Sequence, residues 1–405
     1  MIKTELLAPA GNMDKLKTAI YFGADAVYVG GKDFSLRSYS DNFTEDQLKE
    51  AIGFVHDRGK KLYVTLNIFA KNADFDKIAD YAGFVYSAGA DAVIVSDPGV
   101  FAAVRKICPD LNVHISTQAN TLNKYSAAFW AENGAKRIIL ARELSLKEIA
   151  EIRAFLPADV EVEAFCHGAM CISYSGRCLL SDYYTGRQSN RGECVQACRW
   201  KYAVRPYDSD GAFCDVEQDD KGTYFFNSKD LNMIGHLDEM VSSGVYSFKI
   251  EGRMKSEYYL ATVVNAYRRA LDALSSVGKD YKKDGLFESE LLKTNHRAFT
   301  TAYMLGDNRD TVNYDDSQSA GDRTFIASVV DYDEKTKTAL IEMRNRFMTG
   351  DVLEVLSPNE YFNKTIKVER LTAVDGTPVA DAKIVQQKLL LKTNIRLHAG
   401  DVLRK

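Results

Sequence analysis

Along the first 275 residues, short runs rich in Val, Ile, Leu and Tyr alternate with longer amphipathic stretches, and this alternation restricts the possible folds most. The apolar runs at 5–10, 24–30, 61–68, 92–96, 112–117, 137–141, 160–165 and 246–250 read as strands. Several, such as 92–96 and 137–141, are apolar at all but one position, as expected of parallel strands buried on both faces. The intervening pattern predicts helices over 13–22, 44–57, 76–87, a stretch ending near Cys108, 126–132, 146–155, 234–241 and 256–275. One of them opens with a capping box, Ser145-Leu-Lys-Glu148. Eight such βα units in this length predict an α/β fold, a (β/α)₈ TIM-like barrel. The Gly-Ala-Asp-Ala-Val segment that recurs at 23–27 and 89–93 supports a repeated unit. A doubly wound open sheet is the alternative, but no glycine-rich phosphate fingerprint follows the first strand.

The 405 residues, 46% apolar, can fill more than one core. The barrel is expected over 1–285, with a cysteine-rich insertion at about 166–222 after strand 7. A helical segment and linker would occupy 286–322, and the polar run 308–322 lacks periodicity. From 323 to 405 the pattern turns to short alternating runs at 325–330, 338–343, 365–371 and 383–389, which predicts a small C-terminal all-β barrel. A net charge of −4 argues against coating nucleic acid or anionic membrane with the whole surface, and leaves room for a local basic patch. The opening residues lack the apolar core of a signal peptide, and no apolar run reaches the ~18 residues that would span a bilayer. The expectation is a cytoplasmic protein without a membrane partner.

In a reducing compartment, clustered cysteines point to metal or redox chemistry. Five of the seven lie between 163 and 200, as Cys166-x₄-Cys171-x₆-Cys178-x₁₅-Cys194-x₃-Cys198. None of these pairs is the Cys-x₂-Cys knuckle usual in zinc ribbons. Spacing alone leaves three readings open: an iron–sulfur cluster, structural zinc, or unliganded buried thiols. Gly168, Gly176, Gly186 and Gly192 would let backbone amides approach sulfur. Arg177, Arg187, Arg191, Arg199, Lys201 and Arg205 set six positive charges against Asp182 and Glu193, a field that favours thiolates and attracts phosphate. Cys108 and Cys214 read as ordinary thiols. Cys166 shares a strand face with Val160, Val162 and Ala164, so a packed position is expected.

Polar residues end several strands. Glu163 and His167 alternate on one face of the seventh, and Lys249, Glu251 and Arg253 do so on the eighth. The fifth carries His114, Ser116, Gln118 and Asn120, while Asn67 and Arg142 end the third and sixth. In a TIM-like barrel, strand C-termini form the catalytic face. Glu163, His167 and Glu251 are therefore candidate catalytic groups, and Lys249, Arg253, Gln118, Asn67 and Arg177 candidate substrate contacts. Lys249 with Arg253 suits a carboxylate. Tyr183, Tyr184, Trp200 and Tyr202 could stack a flat ring, or pack the loop on the barrel. His-Glu-x-x-His, Gly-x-Ser-x-Gly and Walker signatures are absent.

The run Glu163-x-Phe165-x₂-Gly168-Ala169-Met170-Cys171-x₄-Gly176-x-Cys178-x-Leu180-Ser181 resembles the signature of peptidase family U32, the collagenase-like group. The segments 7–11, 116–118, 227–231 and 249–253 resemble other family segments, and the tail resembles the family's C-terminal β-barrel. Members of this family include hydroxylation proteins with a four-iron–four-sulfur (4Fe-4S) cluster, acting on tRNA wobble uridine, a ribosomal RNA cytidine or ubiquinone precursors. The four-cysteine pattern is most similar to the tRNA branch. That resemblance implies cluster ligation by Cys171, Cys178, Cys194 and Cys198, with zinc as the alternative metal. It also implies 5-hydroxyuridine formation in the anticodon, dependent on an acidic small molecule, prephenate. The 185–192 loop lacks the Asp-Pro-Asn of some relatives, a change that bears on RNA contacts before cluster binding. Two other classes stand beside this one: a U32-type peptidase, and a non-catalytic RNA-binding partner of a paralogous U32 subunit.

Overall fold

The computed structural model describes residues 4–32, 34–35, 42–200, 218–219, 222–223, 228–278, 285–306, 311–312 and 319–405. Lys201, Tyr202, Arg205, Cys214 and most of the expected linker lie outside them.

Eight parallel strands form the barrel: β1 (Glu5–Pro9), β2 (Ala26–Gly30), β3 (Lys61–Leu66), β4 (Ala92–Val95), β5 (Asn112–Ile115), β6 (Arg137–Ile139), β7 (Glu161–Ala169) and β8 (Ser247–Ile250). From β2 onward each pairs with its predecessor, and β8 also pairs with β1 and so closes the ring. The helices are α1 (Met13–Tyr21), α2 (Glu45–His56), α3 (Phe75–Ser87), α4 (Pro98–Ile107), α5 (Lys124–Glu132), α6 (Leu146–Phe155), α7 (Leu180–Thr185), α8 (Leu237–Ser242), α9 (Glu257–Val277) and α10 (Gly285–Leu291). The Ser145 capping box forms: the Glu148 amide donates to Oγ and the Glu148 carboxylate accepts from the Ser145 amide at 2.8 Å.

The Gly-Ala-Asp repeat has a physical basis. Gly23 and Gly89 follow α1 and α3 with φ of 103° and 89°, a conformation glycine adopts without a Cβ penalty. The aspartate two residues on reaches to the neighbouring strand. Asp25 accepts from the Leu6 amide at 3.0 Å, and Asp91 from the Leu62 amide at 2.8 Å.

Beyond the barrel, a seven-stranded antiparallel sheet curls around its own core, which includes Ile326, Ile341, Val355, Leu389 and Leu403. The predicted run at 365–371 breaks into Thr365–Lys367 and Leu371–Ala373, and the one at 383–389 lies at Lys388–Lys392. Ile384 and Val385, inside the predicted run, are exposed. Val352–Leu356 and Val402–Arg404 are strands the sequence reading passed over. The sheet docks on the barrel's flank through Tyr258 stacked on Phe325, a buried Arg404–Glu290 ion pair, and Arg269 donating to the Ser357 carbonyl.

Candidate active site

A cavity of about 190 Å³ opens where the strands end, roofed by the 171–200 segment. From the barrel it is lined by Tyr28, Thr65, Asn67, Ser116, Gln118, Arg142, Phe165, Lys249, Glu251 and Arg253. From the roof come Ser175, Ser189, Gln196, Arg199 and all four of Cys171, Cys178, Cys194 and Cys198. The strands expected to end in polar residues therefore do converge on one space.

Below the cavity the interior is charged, where such barrels usually hold branched aliphatics. Arg137, 1% exposed, lies between Glu5 at 2.5 Å and Glu163 at 2.9 Å, with Glu161 at 2.6 Å. Glu163 also pairs with Lys249 at 2.8 Å, and Tyr63 and Ser247 donate to Glu5. Burial acts to raise the Glu5 pKa, but the Arg137 charge and hydrogen bonds outweigh it and hold Glu5 below the usual carboxylate range. Burial pulls the Lys249 ammonium down against the opposing pull of Glu163. Glu163 is the post on which Lys249 stands. It sits beneath the cavity rather than in its wall.

His167 departs from its expected place. Phe165 pairs with Lys249, but Ile250 pairs with His167, so Cys166 is the extra residue of a β-bulge. A bulge inverts the inside–outside alternation that follows it. His167 thus points away from the cavity, among Tyr259, Tyr267 and Phe299, beneath the short strand Asp230–Asn232. Burial depresses its pKa to about 3. It is a neutral core histidine, not a group that can touch substrate. Gly168, with φ of 110°, carries the chain out of the bulge, and a Cβ there would meet the Glu251 carbonyl at 2.6 Å.

The remaining candidates divide. Asn67, Gln118, Lys249, Glu251 and Arg253 line the cavity. Arg253 donates to Ser35 Oγ at 2.6 Å and to Asn42. Arg177 is exposed, 5.0 Å above the Phe69 ring, outside the cavity wall. Cys166 is fully buried, its thiol 3.5 Å from the Lys249 carbonyl, the packed position expected of it.

Two lining cations went unselected by the sequence reading. Arg142 donates to the Ala169 carbonyl and to Ser175 Oγ, both at 2.8 Å, and Arg199 donates to Gln196 at 2.5 Å. The signal was present, a strand-end arginine and one in the basic loop, but neither position says which cation faces inward. Among the described residues, Arg142 Nε, Arg199 Nε, Asn67 Oδ1 and Gln118 Oε1 are buried without a hydrogen bond.

The roof is pinned to the β3–α3 connection. The Phe69 amide donates to the Asn190 carbonyl, and Arg191 grips Asp74 and the Phe69 carbonyl at 2.8 Å. Gly176, φ 78°, lies against Gln118, where a Cβ would collide. Ser189 Oγ donates to the Cys178 carbonyl, and the Gln196 amide approaches Cys194 Sγ at 3.4 Å. Burial raises the Cys198 thiol to about 11; Arg199 opposes this, and Cys171, Cys194 and Cys178 add to it. Among the described residues, no three Cys, His, Asp or Glu side chains are arranged to hold a single metal ion. The donor set itself, four cysteines with amide and hydroxyl donors beside Cys194, has the chemistry of an iron–sulfur cradle.

The profile of Peptidase family U32 matches residues 11–314, and that of the Peptidase family U32 C-terminal domain matches 322–404. The chain belongs to family U32. It is 38% identical to tRNA hydroxylation protein P1 of Bacillus subtilis over 100% of this chain and 95% of that protein. With tRNA hydroxylation protein P of Escherichia coli the identity is 36%, over 94% and 92%. With the collagenase of Porphyromonas gingivalis it is 32%, over 75% and 73%. Among the described residues of this U32 chain, no helix is long and apolar enough to cross a membrane.

Proposed function

We propose that this U32 chain takes part in hydroxylating the wobble uridine of tRNA to 5-hydroxyuridine, with a 4Fe-4S cluster on Cys171, Cys178, Cys194 and Cys198. The observation that carries the reading is the meeting of four cysteines with a cation-rich barrel mouth in one cavity. The tRNA-named relatives match over nearly their whole length, which supports RNA as the substrate class. A single zinc ion would need its sulfurs about 2.3 Å from a common point. A cluster takes four thiolates over a wider frame, and four thiols line this cavity. A bound cluster would supply one-electron chemistry at the cavity mouth.

The chain's own residues bind and orient. Among the described lining residues, Arg142, Arg199, Lys249 and Arg253 face one carboxylate, Glu251. That balance suits a small anion such as prephenate. Gln118 and Asn67 offer acceptors to a hydroxyl or ring N–H, and Glu163 positions Lys249. Among the described lining residues, Glu251 is the carboxylate that can take a proton from bound substrate or return it.

The peptidase reading gains less support. His114 is buried and held neutral under Tyr63, and His167 faces away from the cavity. Among the described residues, neither histidine makes a hydrogen bond to a cavity serine or cysteine that would mark an activated nucleophile. Anaerobically purified protein should be brown, contain iron and acid-labile sulfide in equal amounts, and bleach on reduction. Colourless protein with stoichiometric zinc would overturn the cluster.

A further inference from the structure

The roof of the cavity carries a surface that the proposed chemistry does not use. Tyr183 is 82% exposed, Tyr184 49% and Trp200 43%, whereas most other aromatic rings among the described residues are packed. The three rings form a continuous row, Tyr183 to Tyr184 at 5.1 Å and Tyr184 to Trp200 at 6.2 Å. Leu179, 64% exposed, immediately precedes the same short helix, α7.

That helix is tied to the cavity from its other side. Buried Ser181 accepts from the Val195 amide at 3.2 Å, and its hydroxyl lies 3.9 Å from Cys194 Sγ. The aromatic row is thus fixed to the element that holds a cavity thiol. Charge identifies the occupant. Residues 171–200 hold four arginines against two acids, while the whole chain is net −4. Arg191 pairs with Asp74 and Arg199 lines the cavity, and Arg177 and Arg187 are exposed on the roof. A basic lobe with exposed rings on an otherwise acidic protein matches a polyanion with flat, unpaired bases: the backbone meets the arginines and the bases meet the rings.

We propose that Tyr183, Tyr184 and Trp200 form a stacking platform for unpaired bases of an RNA loop whose neighbouring base enters the cavity. The proposal rests on the RNA reading above and adds to it the surface that receives the flanking nucleotides. Stacking of this kind tolerates any base, so it would hold the loop without selecting its sequence.

The chain has two tryptophans, and Trp130 is buried. Trp200 emission in a Trp130→Phe background therefore reports directly on the platform. The titrants are an anticodon stem-loop RNA and a fully paired duplex of equal length, with the affinity of each followed by anisotropy of labelled RNA. The stem-loop should quench Trp200 saturably and the duplex should not. Tyr183→Leu and Tyr184→Leu should each weaken stem-loop binding about 5- to 100-fold. Stem-loop binding with unchanged Trp200 emission and unchanged affinity in both variants would overturn the platform and leave RNA as a substrate. Equal quenching by the duplex, or self-association abolished by the same substitutions, would also overturn it. Failure of wild-type protein to bind either RNA would remove the RNA reading itself.

Discussion

The floor of the cavity and its cysteine-rich roof are both polar, and they treat their polar groups in opposite ways. In the floor, Arg137, Glu5, Glu163 and Lys249 are almost wholly buried and bond one another at 2.5–2.9 Å. In the roof, Cys171 and Cys194 are exposed, and among the described residues the Arg199 Nε makes no hydrogen bond. Buried ion networks hold together only when each charge keeps its partners, so the floor is a closed structure that fixes Lys249. The roof instead leaves two thiols exposed along the cavity. The contrast separates residues that build the site from residues that serve it.

The strongest challenge to this division is Arg137→Leu. It strips the counter-charge from Glu5 and Glu163 together, and removing one partner of a buried pair costs about 3–5 kcal/mol. Urea unfolding should show that loss. A change within 1 kcal/mol would mean that the floor is not held by its ion network.

His167 sharpens the same line from the other side. Its folded pKa of about 3 lies below the unfolded value near 6.5, so between these values the unfolded chain binds more protons. Its contribution to stability is complete above pH 6.5 and falls as pH drops toward 3, by about 1.4 kcal/mol per unit. From pH 6.5 to 5 the wild type should lose about 2 kcal/mol that His167→Leu does not lose. Parallel pH profiles for the two proteins would place His167 in a solvated, titrating position.

Arg177 should give the smallest effect. Its exposed contact with Phe69 is worth about 0.5–1 kcal/mol at most, so Arg177→Ala should barely shift the melting curve. As a phosphate contact it should lower the slope of log affinity for tRNA against log salt by about 1. An unchanged slope would remove it from the RNA surface.

Sequence and structure agree most closely where burial on both faces leaves an uninterrupted apolar run, as in β2 and β4. The repeated Gly-Ala-Asp could be recognised because one glycine conformation and one aspartate bond recur in each copy. His167 was misplaced because alternation assumes an unbroken ladder, and the bulge at Cys166 shows only in how β7 meets β8. Arg137 and Glu5 are distant in sequence, and only barrel closure sets them in one layer. The cysteine spacing was evident, but the chain path from Cys171 to Cys198 decides that the thiols share a wall with Lys249 and Arg142.

The most direct measurement is nucleoside mass spectrometry of tRNA from a host strain lacking this gene, complemented with wild-type protein or with Cys178→Ser. The wild type should restore 5-hydroxyuridine derivatives and Cys178→Ser should not, at matched protein levels. Full restoration by Cys178→Ser, or derivatives unchanged by the deletion, would contradict the account.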